Sequence, residues 1–465
     1  MISLTIENVA GLPEIEYKKL QKLVDVFNYH VNNNAKKEKY YEGAVTLNDV
    51  NLGLALPDDI SKLQVGCDWG SKAVDVLAAR SMFDGFVSST GEDVSALANI
   101  IAGNNLISQY ITACKDQLKF GCTFATLSGS DIIGCKIRFH SPQTAAALWN
   151  GDKGRLDCGF AIIDTVPDEK ELNVWRPAHI NYYTDDAIYE LRYAGPGWIA
   201  KKHPHKMGQP LMLAMIWNRT SKKPFGRSRL KYSVRALIDG YIRTVANAAI
   251  ALEFSTTPQK YLLGITDDQY EAVIGNKFKQ YVGSIIAATQ NPETGENPTF
   301  GQLAQGSLQP HAEMLRIVST QFSAATGLSV SDTGVVNDSN PSSAEAIQAQ
   351  SQTLVLLAEQ LNVTNGDTLK LIGRMAQAIA RNVTLEELTP EENDVIAHFK
   401  NPAMPSVSVT ADAAIKIASA RPDFAGTDTF LEMIGFDQAN IRRIKSQEQR
   451  TRGQRVLTEV EETEV

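Results

Sequence analysis

Residues Pro224–Leu262 read PFGRSRLKYSVRALIDGYIRTVANAAIALEFSTTPQKYL, and this stretch sets the architecture. Leu230, Val234, Leu237, Ile238, Tyr241, Val245, Ala249 and Leu252 recur at helical spacing, which predicts one helix from Arg227 to about Ser255. Near thirty residues rising 1.5 Å each make a rod of about 45 Å. Arg227, Lys231, Arg235, Asp239, Arg243 and Asn247 step by four along the other side, a basic ridge with one acid set into it. Pro258 ends the rod, because proline has no N–H and its ring clashes with the preceding turn.

Downstream, a small β-rich insert is expected, with strands at Lys260–Leu263 and Ser284–Ala288 around an amphipathic helix, Asp267 to Tyr281. Asn291 to Gly306 reads as a Gly/Pro/Asn loop. A second helix, Gln309 to Thr326, then returns toward the start of the first, with Met314, Leu315, Ile317, Val318 and Phe322 apolar. Gly327 stops it and opens a flexible stretch, Leu328 to Pro341. Ser342-Ser343-Ala344-Glu345 is a helix start, since serine hydroxyls satisfy free N–H groups and Glu345 suits the positive helix end. That helix is expected to reach Arg381 with a kink at Asn365-Gly366. A short extended segment, Ser406–Thr410, and two or three helices fill the rest, Asn382 to Val465.

Upstream, helices are expected over Glu14 to Asn32, Trp69 to Phe83 and about Glu92 to Leu118, the last interrupted at Gly103-Asn104-Asn105. From Gly121 to Ile216 the pattern turns to short strands: Cys122–Leu127, Lys136–Phe139, Gly159–Ile163, Ala187–Arg192 and Pro210–Ile216. The whole is an α+β chain of 465 residues and 50.9 kDa, large enough for several packed units. Hydrophobic residues at 43% and charged residues at 21% exclude disordered and fibrous classes. No apolar run reaches the ~18 residues of a membrane span, and the N-terminus lacks a signal peptide's basic and apolar regions. Five cysteines without a C-x-x-C pair read as reduced thiols in a cytosolic compartment. A net charge of −8 argues against a broad basic surface for gripping nucleic acid.

Enzyme motifs are mostly missing from the sequence. It has no G-K dipeptide, hence no phosphate loop of the G-x-x-x-x-G-K-[ST] type, and no H-E-x-x-H, G-x-S-x-G or G-x-G-x-x-G. His203-Pro204-His205, among lysines, reads as a solvated loop rather than a metal site, and Asp58-Asp59 and Asp185-Asp186 read as turns. Cys122 and Cys135 flank an expected hairpin and could meet across it, with His140 as a base, but buried structural thiols account for them. The C-terminal basic cluster (Arg442, Arg443, Lys445, Arg450, Arg452, Arg455) is a solvated face balanced by Glu459, Glu461, Glu462 and Glu464.

The order of these parts resembles the portal (head–tail connector) proteins of tailed double-stranded DNA phages, siphophage type. The stretches that carry the resemblance are Tyr40-Tyr41-Glu42-Gly43, Val65–Phe86, Pro224–Leu262, Gly327–Gln350 and Ala411–Ile444, which thread nearly the whole chain. The resemblance implies a non-enzymatic subunit without cofactors, closing as a homododecameric ring at one capsid vertex. Residues 1–226 would form the N-terminal part of a wing, 227–256 the first stem helix, 257–307 an α/β clip and 308–327 the second stem helix. Residues 328–342 would be the tunnel loop, 343–410 a long kinked helix with the rest of the wing, and 411–465 a helical crown. Its implied partners are capsid and scaffolding proteins, the terminase large subunit, a head–tail adaptor and passing double-stranded DNA, with no membrane. It would reside in the virion, and in host cytoplasm during assembly. The tunnel-loop residues facing DNA would be Ser329, Ser331, Asp332, Thr333, Gly334, Asn337, Asp338 and Ser339. The ridge of Arg227, Lys231, Arg235, Asp239 and Arg243 would be solvated, or pair with a neighbour's carboxylates, or face the channel. An α+β enzyme of another family, built on Cys122, Cys135 and His140, or a minor head or adaptor protein, are the alternatives.

Overall fold

The computed structural model describes residues 4–50, 65–90, 94–167, 175–195, 197–256, 260–263, 295, 297, 299–302, 307–335, 344–403, 407–436, 440–441 and 443–451. Strand β1 (Val9–Ala10) leads into helix α1 (Glu14–Tyr41), which runs past the Asn32–Asn34 stop expected from sequence. Asn34 is buried and donates its amide to the Pro142 carbonyl oxygen at 3.3 Å, so tertiary bonding carries the helix through the polar run. Helix α2 (Trp69–Ala78) is followed by β2 (Phe83–Val87). Gly70 lies against the end of α1, where a Cβ would sit 1.9 Å from the Tyr40 carbonyl oxygen. Helices α3 (Ser95–Asn104) and α4 (Leu106–Phe120) break at Asn105, which takes a left-handed φ of 50°.

The strand region is richer than its pattern suggested. It comprises β3 (Cys122–Ser130), β4 (Gly134–His140), β5 (Ala145–Asn150), β6 (Arg155–Pro167), β7 (Trp175–Tyr183), β8 (Ala187–Tyr193), β9 (Trp198–Pro204) and β10 (Met212–Ile216). A six-stranded sheet has the order β1-β9-β8-β7-β6-β5, antiparallel except for the parallel β1–β9 edge. Helix α1 packs its Leu20, Leu23, Val24 and Phe27 onto this sheet, against Phe160, Ile180 and Tyr182. A three-stranded sheet, β10-β3-β4, belongs to the larger core, which α2 and α4 share with the long helices that follow.

Those helices are α5 (Tyr232–Thr256), α6 (Gln309–Thr326) and α7 (Ala344–Arg381). Helices α5 and α6 pack on each other, and the chain between them includes β11 (Lys260–Leu263) and β12 (Thr299–Gln302), an antiparallel pair. The expected segments Asp267–Tyr281 and Ser284–Ala288 lie outside the described residues, as does the Ser342-Ser343 helix start. Helix α7 runs without interruption through Asn365 and Gly366, where a kink was expected. Asn365 points into the core rather than leaving the helix. After α8 (Pro390–Asn393), β13 (Ile396–Phe399) pairs with β2. Helix α9 (Val407–Ala420) replaces the extended segment expected at Ser406–Thr410, and α10 (Asp428–Ile434) follows. No helix among the described residues is long and apolar enough to cross a membrane.

Candidate functional site

The root of α5 is fixed by backbone contacts before helical bonding begins. Gly226 has φ +68°, and a Cβ there would lie 2.0 Å from the Trp217 carbonyl oxygen, so glycine lets the chain pass. Arg227 donates its N–H to that oxygen at 3.0 Å, and Arg229 donates to the Leu118 carbonyl at 2.9 Å. The Arg229 side chain is buried, with Nε donating to the Ala73 carbonyl and Nη2 to the Thr326 carbonyl at 2.6 Å. Burial holds its guanidinium down to about 10. These bonds delay the helix from the expected Arg227 to Tyr232. Arg227 and Lys231 therefore precede the rod, and the proposed ridge loses its first two members as helical positions.

The remaining ridge residues meet the N-terminal part of the chain. Tyr40 donates its hydroxyl to Asp239 Oδ1 at 2.7 Å, and burial followed by that carboxylate pushes the phenol upward. Arg243 donates Nε to the Val50 carbonyl oxygen at 2.8 Å. The Arg235 guanidinium carbon lies 5.7 Å from the Tyr40 ring centroid. Within this chain the ridge is thus partly engaged, and the expectation of a merely solvated face is corrected for Asp239 and Arg243. Arg227, Lys231 and Arg235 open onto one cavity together with Lys37, Lys222 and Lys223. Sequence reasoning singled out neither Lys37 nor the Lys222-Lys223 pair. The adjacent lysines before Pro224 were the available signal for the second, and nothing local marks Lys37.

The expected tunnel loop begins as a pinned turn. Residues Ser331–Thr333 form a 3-10 turn closed by Gly334 at φ 75°. Ser329 donates its N–H to Asp332 Oδ2 at 3.0 Å and its hydroxyl to the same oxygen at 2.7 Å, and Ser331 Oγ lies 2.8 Å from Ser329 Oγ. Leu328 and Thr333 are buried, and Thr333 Oγ1 is 2.7 Å from Ser319 Oγ on α6. Trp69 donates its indole N–H to the Thr333 carbonyl at 3.0 Å while its ring packs on Tyr241 and Phe322, centroids 4.5 and 4.7 Å away. Hydrogen bonds thus tie the stretch from Leu328 through Gly334, where a flexible run was expected, and the Thr333 side chain is buried. Gly334 is exposed. Asn337, Asp338 and Ser339 lie outside the described residues.

The thiol alternative does not assemble. In the β3–β4 hairpin, Gly129 is opposite Cys135 and Phe124 opposite His140, which puts Cys122 and Cys135 at opposite ends of the ladder. Burial pushes both thiols up to about 12, and burial pushes the His140 imidazole down to about 4. Burial thus disfavours the thiolate at both cysteines and the protonated ring at His140, the two charged forms a thiolate–imidazolium pair needs. His203 lies in β9, its Nε2 3.2 Å from Glu190 Oε2, which corrects the loop expected there. Asp185 pairs with Lys153 at 2.6 Å and Asp186 with Lys202 at 2.9 Å, whereas Asp58-Asp59 lies outside the described residues. Among the described residues no group of three or more His, Cys, Asp or Glu could hold a metal ion. Of the C-terminal basic cluster, Arg443 and Arg450 are exposed and Lys445 pairs with Asp428 at 2.6 Å. Arg442, Arg452 and Arg455 lie outside the described residues.

No protein-family model matches this sequence, and no curated protein matches it. Among solved structures, the chain is similar to one in the neck of an empty gene transfer agent particle computed with C6 symmetry. That likeness has a TM-score of 0.47 at 12% identity, covering 79% of this chain and 92% of that one. A chain in the neck of the native particle, computed with C12 symmetry, gives 0.45 at 12% identity over 79% and 89%. One from the virion of the native particle gives 0.45 at 12% over 76% and 86%.

Proposed function

We propose that this chain is the portal subunit of a phage-like particle, a structural conduit and not an enzyme. The observation that carries this reading is the packed helix pair α5–α6, with an antiparallel two-stranded excursion between its members, a pinned turn directly after it and the 38-residue helix α7 beyond. This is the order of stem, clip, stem, tunnel loop and long helix that the sequence resemblance implies. Residues 257–307 would be the clip that meets the terminase and, later, a head–tail adaptor. The DNA-facing part of the loop would begin at Gly334, since residues before it are anchored.

Side chains left uncovered on these helices fit a ring. Leu252 on α5, Met314 and Ile317 on α6, and Leu356 and Val363 on α7 are all more than 40% exposed, Val363 reaching 68%. Head-to-tail closure requires two different faces on each subunit, and apolar groups on rods at the rim suit such a contact. An acidic chain, net −8, also suits a conduit, because each phosphate it neutralised would add affinity and slow a sliding duplex.

Negative-stain microscopy with mass photometry tests the reading. Closed rings with a mass near twelve times 50.9 kDa are expected, and Ile317→Glu with Val363→Glu should leave a folded chain that fails to close. A wild-type protein that stays monomeric at every concentration, with no rings, overturns it.

A further inference from the structure

The cavity at the root of α5 has a composition the conduit role leaves unexplained. It encloses about 640 Å³ between the C-terminal half of α1, the start of β3, the 142–147 segment and residues 222–235. Six cationic side chains line it (Lys37, Lys222, Lys223, Arg227, Lys231 and Arg235), and no aspartate or glutamate does. Like charges gathered in a concavity repel one another unless something negative joins them.

The atoms at its wall are short of partners. Arg235 has both Nε and Nη1 shielded from water with no hydrogen-bond partner. A buried N–H left unpaired is costly, and it is the kind of vacancy a ligand fills. Lys37 donates to two neutral oxygens, the Phe120 carbonyl at 3.0 Å and Asn34 Oδ1 at 3.5 Å. Burial, with the positive charge of Arg235 opposing the ammonium, pulls Lys37 down to about 8. Two points of the wall are fixed by the backbone: Gly226 is wedged under Trp217, and Ser228 donates its hydroxyl to the Lys119 carbonyl.

We propose that this cavity is a binding site for a small phosphate-class oxyanion, anchored by the Arg235 fork, with Lys37 and Lys231 supplying further charge. A planar guanidinium presents parallel N–H groups matched to two oxygens of such an anion, and lysines act on it as point charges. The size fits a phosphate monoester as well as free phosphate, since ligand pockets typically span about 300–1,000 Å³. The proposal is independent of ring formation and of the portal reading.

Isothermal titration of the full-length chain with inorganic phosphate, at constant ionic strength set by chloride, tests it. Saturable binding is expected, weakened roughly tenfold or more by Arg235→Gln, the loss of one charge-assisted fork. Lys37→Gln, which keeps a donor for the Phe120 carbonyl, should weaken it as well, while Arg192→Gln on the distant sheet should not. Phosphate should also raise the melting temperature of the wild type and not of Arg235→Gln. Absence of saturable phosphate binding overturns the proposal. So does glutamate binding as tightly as phosphate, a duplex DNA binding here where phosphate does not, or unchanged affinity in a folded Arg235→Gln protein.

Discussion

Asn365 and Gln117 exchange both of their amide hydrogen bonds across the α7–α4 contact, at 2.7 and 3.0 Å, with neither residue exposed to water. The Asn365 amide also donates to the Tyr110 hydroxyl at 2.9 Å, and Tyr110 lies 2.7 Å from Ser81 Oγ. A polar chain thus crosses the apolar core from α2's end to the middle of the longest helix. Each member satisfies the next, so the network fixes the register of α7 against α4.

Breaking one end of this chain should be worse than removing the pair. Asn365→Ala leaves the Gln117 amide buried without a partner, and a loss of about 2–4 kcal/mol is expected from the stranded group and the cavity. Gln117→Leu combined with Asn365→Leu leaves the Tyr110 hydroxyl its Ser81 partner and should be the milder change. Urea melts of the two single mutants and the double mutant decide this. Purely additive losses would show that the amides act separately.

Arg229 ties three helices through carbonyl oxygens, reaching Ala73 and Thr326 with its side chain and Leu118 with its backbone. Arg229→Met keeps much of the apolar stem but takes away the Thr326 carbonyl's donor and the second bond to the Ala73 carbonyl, and about 1–3 kcal/mol of stability should go. Arg229→Lys should restore little, because one ammonium cannot span both acceptors with the geometry of a planar fork. Thermal melts of the two variants check this; near-complete rescue by lysine would mean that charge alone is what the site needs.

His140 gives the fold an acid-sensitive element. Burial first, and then the charge of Arg138, hold its imidazole, 3.0 Å from Thr126 Oγ1, down to about 4 in the folded chain against an ordinary 6.5. Between those values the unfolded chain takes up a proton that the folded chain refuses. Stability contributed by the neutral ring is therefore full above about 6.5 and falls as pH drops toward 4, by at most ~1.4 kcal/mol per pH unit. His140→Gln keeps a partner for Thr126 without titrating, so its stability should vary less over that window. Identical slopes for variant and wild type, in denaturant melts from pH 7 to pH 4, would assign the acid sensitivity to other groups such as His30, His179 and His205.

The sequence carried the long elements and lost those that depend on distant partners. Apolar spacing from Leu230 to Leu252 sufficed for α5, but its start depended on where Arg229 could bury its guanidinium, which no local pattern records. Strand β9 reads as loop from its lysines and His203-Pro204-His205, although the sheet tolerates Pro204 at a pairing position, and the pattern gives no expectation for β5 or β7. The Asn32–Asn34 run looked like a helix end, and a carbonyl from the 142 turn makes it interior. Likewise the basic cavity unites residue 37 with residues 222–235, and only folding places Lys37 beside Arg235.

Trp69 links the helix pair to the turn that follows it, and its indole N–H is the one directional element in that contact. Trp69→Phe retains an aromatic ring against Tyr241 and Phe322 while deleting the bond to the Thr333 carbonyl. The global loss should be modest, about 1–3 kcal/mol for the missing hydrogen bond and smaller ring. The local effect should be larger, because residues 331–334 have few other ties to the core beyond the Ser319–Thr333 hydroxyl pair. Amide hydrogen exchange in 331–335 should accelerate well beyond what the change in global stability accounts for. If exchange there rises only in proportion to the rest of the core, the turn is held by burial of Leu328 and Thr333, and the indole bond is incidental.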